Sequence, residues 1–167
     1  MRRHIHYEAA FEDYIRLRAW PYISVNEQKK VIFDGARIKS FDFIVYRPGK
    51  TAWLVDIKGR KFPYDGKQGR RYWENWVTQE DLDGLREWEG VFGEGFEPVF
   101  VFVYWLTAAV NDILAPDAHV FRDRSYAFAW VSANDYAAHA RRRSPKWDTV
   151  SVPSQEFRRL IRHIDEA

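Results

Sequence analysis

The run Val99-Phe100-Val101-Phe102-Val103-Tyr104 offers no charged residue to either side. Side chains of a strand alternate between faces, so a strand of this composition is buried on both. It belongs in the middle of a sheet with helices on each side, which confines the chain to a layered α/β architecture. The rest of the sequence supplies the helices. Tyr7, Ala10, Phe11 and Tyr14 recur at helical spacing and predict a first helix over residues 7–18, ending before Trp20-Pro21. Thr78 and Asp81 stand at capping-box spacing, and Val77 is placed to staple onto Leu82. Leu82, Leu85, Trp88 and Phe92 then form the apolar stripe of a second helix that stops at Gly93. Ser132 and Asp135 repeat the box spacing ahead of a helix predicted over residues 132–143. Phe157, Leu160, Ile161 and Ile164 mark a last helix after Pro153-Ser154. Between them, β character from about Tyr22 through Val31-Ile32-Phe33 precedes a turn signal at Asp34-Gly35 and a strand carrying Asp42. Residues 119–131 predict a further strand or hairpin.

Ionisable residues gather on one predicted hairpin. Asp42 lies in Ser40-Phe41-Asp42-Phe43-Ile44-Val45-Tyr46, and Asp56 and Lys58 lie in Trp53-Leu54-Val55-Asp56-Ile57-Lys58-Gly59. Asp56 and Lys58, two residues apart, share a face, while Val55 and Ile57 point into the opposite layer. Register decides whether Asp42 joins them. If Pro48-Gly49-Lys50 is the loop, Arg47 pairs with Thr51 and Asp42 lies opposite Asp56, with Cβ atoms about 4.5 to 5.5 Å apart. If Pro48-Gly49 alone turns the chain, Asp42 faces Val55 and points the wrong way. Opposed like charges repel, and burying them beside apolar neighbours is costly unless a cation compensates. Oxygen ligands without Cys or clustered His suit Mg²⁺ or Mn²⁺ rather than zinc. The plainer alternative is that these charges mark where a sheet meets water.

A helix bearing Glu8, in His6-Tyr7-Glu8-Ala9-Ala10-Phe11, then the strand with Asp42, a turn, and an apolar strand ending Asp56-Ile57-Lys58 resemble the PD-(D/E)XK nuclease superfamily. In order and spacing they are most similar to its Holliday-junction resolvase and transposon-end endonuclease branches. The resemblance spans residues 7–104, and it departs from the pattern at Phe41-Asp42, where the superfamily has Pro-Asp. It implies a restriction-endonuclease-like core: a central mixed β-sheet flanked by helices, N-terminal helix first. It also implies an endonuclease that hydrolyses phosphodiester bonds of nucleic acid, DNA foremost, with Mg²⁺ as cofactor and Mn²⁺ as a substitute. The implied metal ligands are Asp42, Asp56, the backbone carbonyl of Ile57 and Glu8, with Glu12 one turn further on as the alternative to Glu8. Lys58 completes the implied catalytic set by orienting or deprotonating the attacking water, or by neutralising charge on the phosphorane. Resolvase-like relatives commonly work as dimers, so a homodimer is the implied assembly.

A net charge of +2 is too small to declare a nucleic-acid binder by itself. Its distribution says more. Arg60, Lys61, Lys67, Arg70 and Arg71 follow the hairpin directly and are the expected contacts to a phosphate backbone, with Arg141-Arg142-Arg143 as the fallback. A solvated loop with scattered charge is the bland alternative. Tyr64, Tyr72, Trp73 and Trp76 interleave with these cations and could stack on unpaired bases, although the eight Trp read first as core and hairpin packing. Residues 1–167 suit a single domain. The absence of Cys excludes disulfides and makes the cytoplasm the default location. Residues 1–6 lack the apolar stretch of a signal peptide, and residues 99–106 fall well short of the roughly 20 a membrane helix needs, so no membrane partner is expected. Two rivals stay open: a non-cleaving nucleic-acid-binding or scaffolding domain of the same fold, and a hydrolase of another phosphate compound.

Overall fold

A computed structural model of the chain describes residues 5–25, 31–33, 36–63, 72–108 and 118–164. The elements run α1 (Ile5–Leu17), β1 (Tyr22–Ser24), β2 (Val31–Phe33), β3 (Ala36–Ile38), β4 (Phe43–Val45), β5 (Ala52–Phe62), β6 (Val77–Thr78), α2 (Gln79–Phe92) and β7 (Phe96–Leu106). They continue with β8 (His119–Phe121), β9 (Arg124–Ser132), α3 (Ala133–His139), β10 (Arg141–Ser144), β11 (Thr149–Ser151), α4 (Ser154–Leu160) and β12 (Arg162–His163). The main sheet has seven strands in the order β1-β4-β5-β7-β9-β12, with β8 paired to β9 beside that path. A three-stranded sheet, β10-β11-β6, and a β2-β3 ribbon stand apart from it.

The main sheet is mixed: β5 and β7 run parallel, and the other pairs are antiparallel. Parallel neighbours need a crossover rather than a tight turn. Here the chain crosses through β6 and α2, which returns over one face of the sheet. Thr78 caps α2 with the predicted box: its side chain accepts from Asp81 N–H at 3.0 Å, and the Asp81 carboxylate accepts from Thr78 N–H at 3.3 Å. α1 covers the other face. Phe100, Phe102 and Tyr104 of β7 accordingly pack with Leu82, Leu85 and Trp88 of α2 and Tyr136 of α3, whereas Val99, Val101 and Val103 pack with Phe11, Tyr14 and Ile15 of α1. All six β7 residues are completely buried, as the two-sided apolar run requires.

Several element ends differ from the sequence reading, and each difference is made by a distant pairing partner. The strand expected to contain Asp42 begins one residue later, at Phe43, and Ala36–Ile38 pairs instead with Val31–Phe33. The turn signal at Asp34-Gly35 lies outside the described residues. α3 stops at His139, and Arg141–Ser144 is a strand rather than a helix because it joins β11, which joins β6. α4 ends at Leu160 and the chain returns to the main sheet beside β9, so Ile161 is buried in the α2 layer and Ile164 in the α1 layer. Residues 157, 160, 161 and 164 thus have helical spacing without sharing a helix. Pairing across the sequence overrides local propensity in both cases.

Candidate active site

β4 and β5 pair as Phe43↔Val55, Ile44↔Leu54 and Val45↔Trp53. This is the register of the longer loop, and extended by one residue it sets Asp42 against Asp56. The ladder ends at that point. Asp42 N–H donates to Val55 O at 2.8 Å, one residue out of register, and the Asp42 carboxylate accepts from Ile57 N–H at 2.6 Å. A side-chain oxygen has therefore replaced the carbonyl that a longer β4 would present, and the two strands part at Asp42. A strand residue directs its N–H and C=O toward the same neighbour, so the Ile57 carbonyl faces the parting as well. Asp42 and Asp56 are both buried.

On the α2 face of β5 the charges alternate. Lys58 Nζ lies 3.0 Å from Asp56 Oδ1 and donates to Asp81 Oδ2 at 2.9 Å, and Asp81 also receives the ammonium of Lys39. Burial drives the Asp56 carboxyl up to about 6; Lys58 and Lys39 oppose the rise and the Asp81 charge adds to it. Burial also works against the Lys58 ammonium, but Asp56 and Asp81 outweigh it and raise its pKa. For Asp81 burial is outweighed by Lys58 and Lys39, which hold the carboxyl down at about 2. Lys58 is thus a fixed positive charge clamped between two carboxylates.

The sequence singled out Asp81 as a capping residue of α2 and not as a site residue, and it did not single out Lys39. Capping accounts for Asp81 completely when the chain is read linearly, yet one carboxylate both closes the cap and clamps Lys58. The available signal was topological. A crossover helix that follows a strand into a parallel neighbour starts on the carboxyl-end side of that strand, which brings an acid in its first turn within reach of Lys58 in the second half of β5.

Other expected site residues are distributed differently. Glu8 is half-buried on α1, across the sheet from Asp56 and Lys58. The ring of Tyr7 beside it packs so closely over Gly59 that a Cβ there would lie 2.2 Å away. Glu12 is occupied at the α1–β1 junction, accepting from the Tyr22 hydroxyl at 2.7 Å and from Arg16 at 3.3 Å. Among the described residues no group of three or more His, Asp or Glu side chains is gathered to hold a metal, so Glu8 does not join Asp42 and Asp56 as a third carboxylate: its helix belongs to the other layer. Arg60 is also corrected. It is buried, its guanidinium is 4.1 Å from the Trp76 ring centroid, and it donates to the carbonyls of Gly59 and Trp76, which makes it a packing residue rather than a surface phosphate contact. Lys61 is exposed, with Nζ 5.1 Å from the Trp105 ring, and strand alternation turns it away from Asp56. Lys67, Arg70, Arg71 and Tyr64 lie outside the described residues. Trp73 is buried and stacks on Phe62 at 3.8 Å, so it is not a platform for bases.

The donors that remain for a divalent ion are the carboxylates of Asp42 and Asp56 and the carbonyl of Ile57. All are hard oxygens, and Mg²⁺ is commonly held by one or two carboxylates with waters completing its shell. Burial first, and the charge of Asp81 with it, raise the Asp56 carboxyl despite Lys58 at 3.0 Å, and an added cation would favour its charged form. This donor set fits Mg²⁺ or Mn²⁺ in kind and number.

No family model and no curated protein matches the chain. Its fold is similar to that of Hjc, a Holliday junction resolvase from the archaeal hyperthermophile Archaeoglobus fulgidus, with a TM-score of 0.53, 10% sequence identity, and coverage of 97% of this chain and 92% of that one. The resolvase-like core expected from the sequence, a mixed sheet between helices with the N-terminal helix first, is the architecture observed.

Proposed function

We propose that this chain is a metal-dependent endonuclease that hydrolyses phosphodiester bonds of nucleic acid, with DNA as its polymer, the cytoplasm as its location and a homodimer as its form where two strands are cut. The observation that carries the proposal is the chain Asp56, Lys58, Asp81 set where β4 leaves β5 and Asp42 fills the gap. Asp42, Asp56 and the Ile57 carbonyl would hold Mg²⁺, with Mn²⁺ as a substitute. Bound there, the ion supplies a water of lowered pKa and a counter-charge for the phosphorane. Lys58 serves as an ammonium. Its two carboxylates keep it charged, so it orients the attacking water or offsets charge on the phosphate rather than accepting a proton. Asp81 positions Lys58, and Lys39 supports Asp81 from the other side.

The test is incubation of the purified protein with plasmid, linear duplex, branched and single-stranded DNA in Mg²⁺, Mn²⁺ or EDTA. Cleavage in either ion and none in EDTA is expected, with binding that weakens steeply as salt rises because counterions are released. Binding without cleavage would leave a non-cleaving domain of the same fold. Hydrolysis of a small phosphate compound with no salt dependence would point to the other rival.

A further inference from the structure

Trp147 is exposed over 68% of its surface, whereas Trp53, Trp73 and Trp88 are buried. It sits in the turn between β10 and β11, and the segment from Arg141 to Ser151 carries four cations, Arg141, Arg142, Arg143 and Lys146, against one carboxylate, Asp148. All four cations are exposed. Arg141 pairs with Glu156 at 2.9 Å and Arg142 with Asp148 at 3.8 Å, but each arginine is 70% exposed, and solvent screens such pairs into weak competitors for a phosphate. Arg143 lies 5.4 Å from the Trp76 ring and Lys146 lies 5.3 Å from the ring of Trp147.

The position of this hairpin gives its composition a meaning. β11 pairs with β6 as Thr149↔Thr78 and Val150↔Val77, and the Asp148 carbonyl accepts from Gln79 N–H, the first residue of α2, at 2.8 Å. Two residues further into α2 stands Asp81, whose carboxylate clamps Lys58. The turn bearing Trp147 therefore borders the mouth of the candidate active site. The turn with its indole is the part of the hairpin beside α2, and Arg142 and Arg141 follow on the outer strand β10, opposite Val150 and Ser151. A phosphate backbone leaving the site past the turn and along the outer edge of β10 would meet both arginines, one on each side of that edge.

We infer that the β10–β11 hairpin is a second nucleic-acid contact of this chain, with Arg141 and Arg142 on phosphates and Trp147 stacked on an unpaired base. The inference rests on the proposed nuclease function, and its test is built on binding so that the two can fail separately. Fluorescence anisotropy of labelled single-stranded and blunt duplex DNA would be followed in EDTA over a series of salt concentrations. Arg141→Ala/Arg142→Ala is expected to reduce the salt slope of log K by about 1.4 on single strands and about 1.8 on duplex. Trp147→Ala is expected to weaken single-strand binding about tenfold and leave blunt duplex unchanged, with Trp147→Phe close to wild type. These side chains are exposed, so melting temperatures should hold; Arg142→Gln and Trp147→Leu, which keep bulk without the charge or the ring, serve if a larger change disturbs folding.

A wild-type slope in the double variant, or wild-type single-strand affinity in Trp147→Ala, overturns the inference. So does loss of binding to anionic lipid vesicles in these variants with DNA binding intact, which would make the hairpin a membrane contact. A wild-type protein that binds DNA through the hairpin but never cleaves would remove the nuclease proposal and leave this one standing. Failure of the wild type to bind any nucleic acid would remove both.

Discussion

Burial forces Asp56 to carry a proton more readily than an ordinary carboxyl, and the sign of that shift governs stability without metal. A carboxyl raised from 3.8 to about 6 in the folded protein contributes stability that is full below the unfolded value and is lost as pH rises through the folded one. In EDTA the wild type should therefore lose on the order of 2 to 3 kcal/mol between about pH 4 and pH 6 from this group. Asp56→Asn should flatten that part of the profile and raise the melting temperature at pH 8; an unchanged profile would count against the buried charge. Lys58→Ala should slow cleavage roughly 100-fold or more. Lys58→Arg should not rescue it, because a planar guanidinium cannot replace a compact ammonium held at 3.0 and 2.9 Å between two carboxylates. That Asp56 and Lys58 share a face was legible from their two-residue spacing, whereas the register that sets Asp42 opposite Asp56 was one of two that the loop allowed. Asp81 and Lys39 were not legible as site residues, because their value depends on where the α2 crossover begins, and Arg60 was misjudged because nothing in a run of cations says which one will be buried under a tryptophan.

Among the elements, α1 and β5 meet with almost no clearance. Gly59→Ala would place a Cβ 2.2 Å from the Tyr7 ring, so either the ring or the helix must move, at a cost of about 1 to 3 kcal/mol typical of overpacking. The expected outcome is a lower melting temperature, with partial recovery when Tyr7→Ala is added; a Gly59→Ala protein as stable as wild type would mean α1 does not bear on β5 in this way. The cap of α2 offers a second check. Thr78→Ala should destabilise by about 0.5 to 2 kcal/mol, and it should also slow cleavage, since the bond it removes, from Asp81 N–H to Thr78 Oγ1, holds in place the residue whose carboxylate clamps Lys58. Both ends of α2 were readable from Thr78, Asp81 and Gly93. The tails of α3 and α4 were not, since helical spacing at Ile161 and Ile164 coexists with strand pairing, and Arg141–Ser144 is a strand only because β11 lies beside it.

For the whole molecule, one apolar run settled the layering: a strand buried on both faces needs α1 on one side and α2 with α3 on the other, and the mixed sheet follows from the crossover that makes β5 and β7 parallel. The same layering separates Glu8 from Asp56, an outcome that no local pattern around Glu8 foretells. It also gathers the charged residues midway along β5, where β4 ends and the nuclease proposal lives. The most direct measurement of that proposal is the single-turnover rate of DNA cleavage in Mg²⁺ by the wild type and by Asp56→Asn, with both proteins shown to be folded by their melting curves. The account predicts a rate at least about 100-fold lower in Asp56→Asn with folding intact; a wild-type rate in that variant would contradict it.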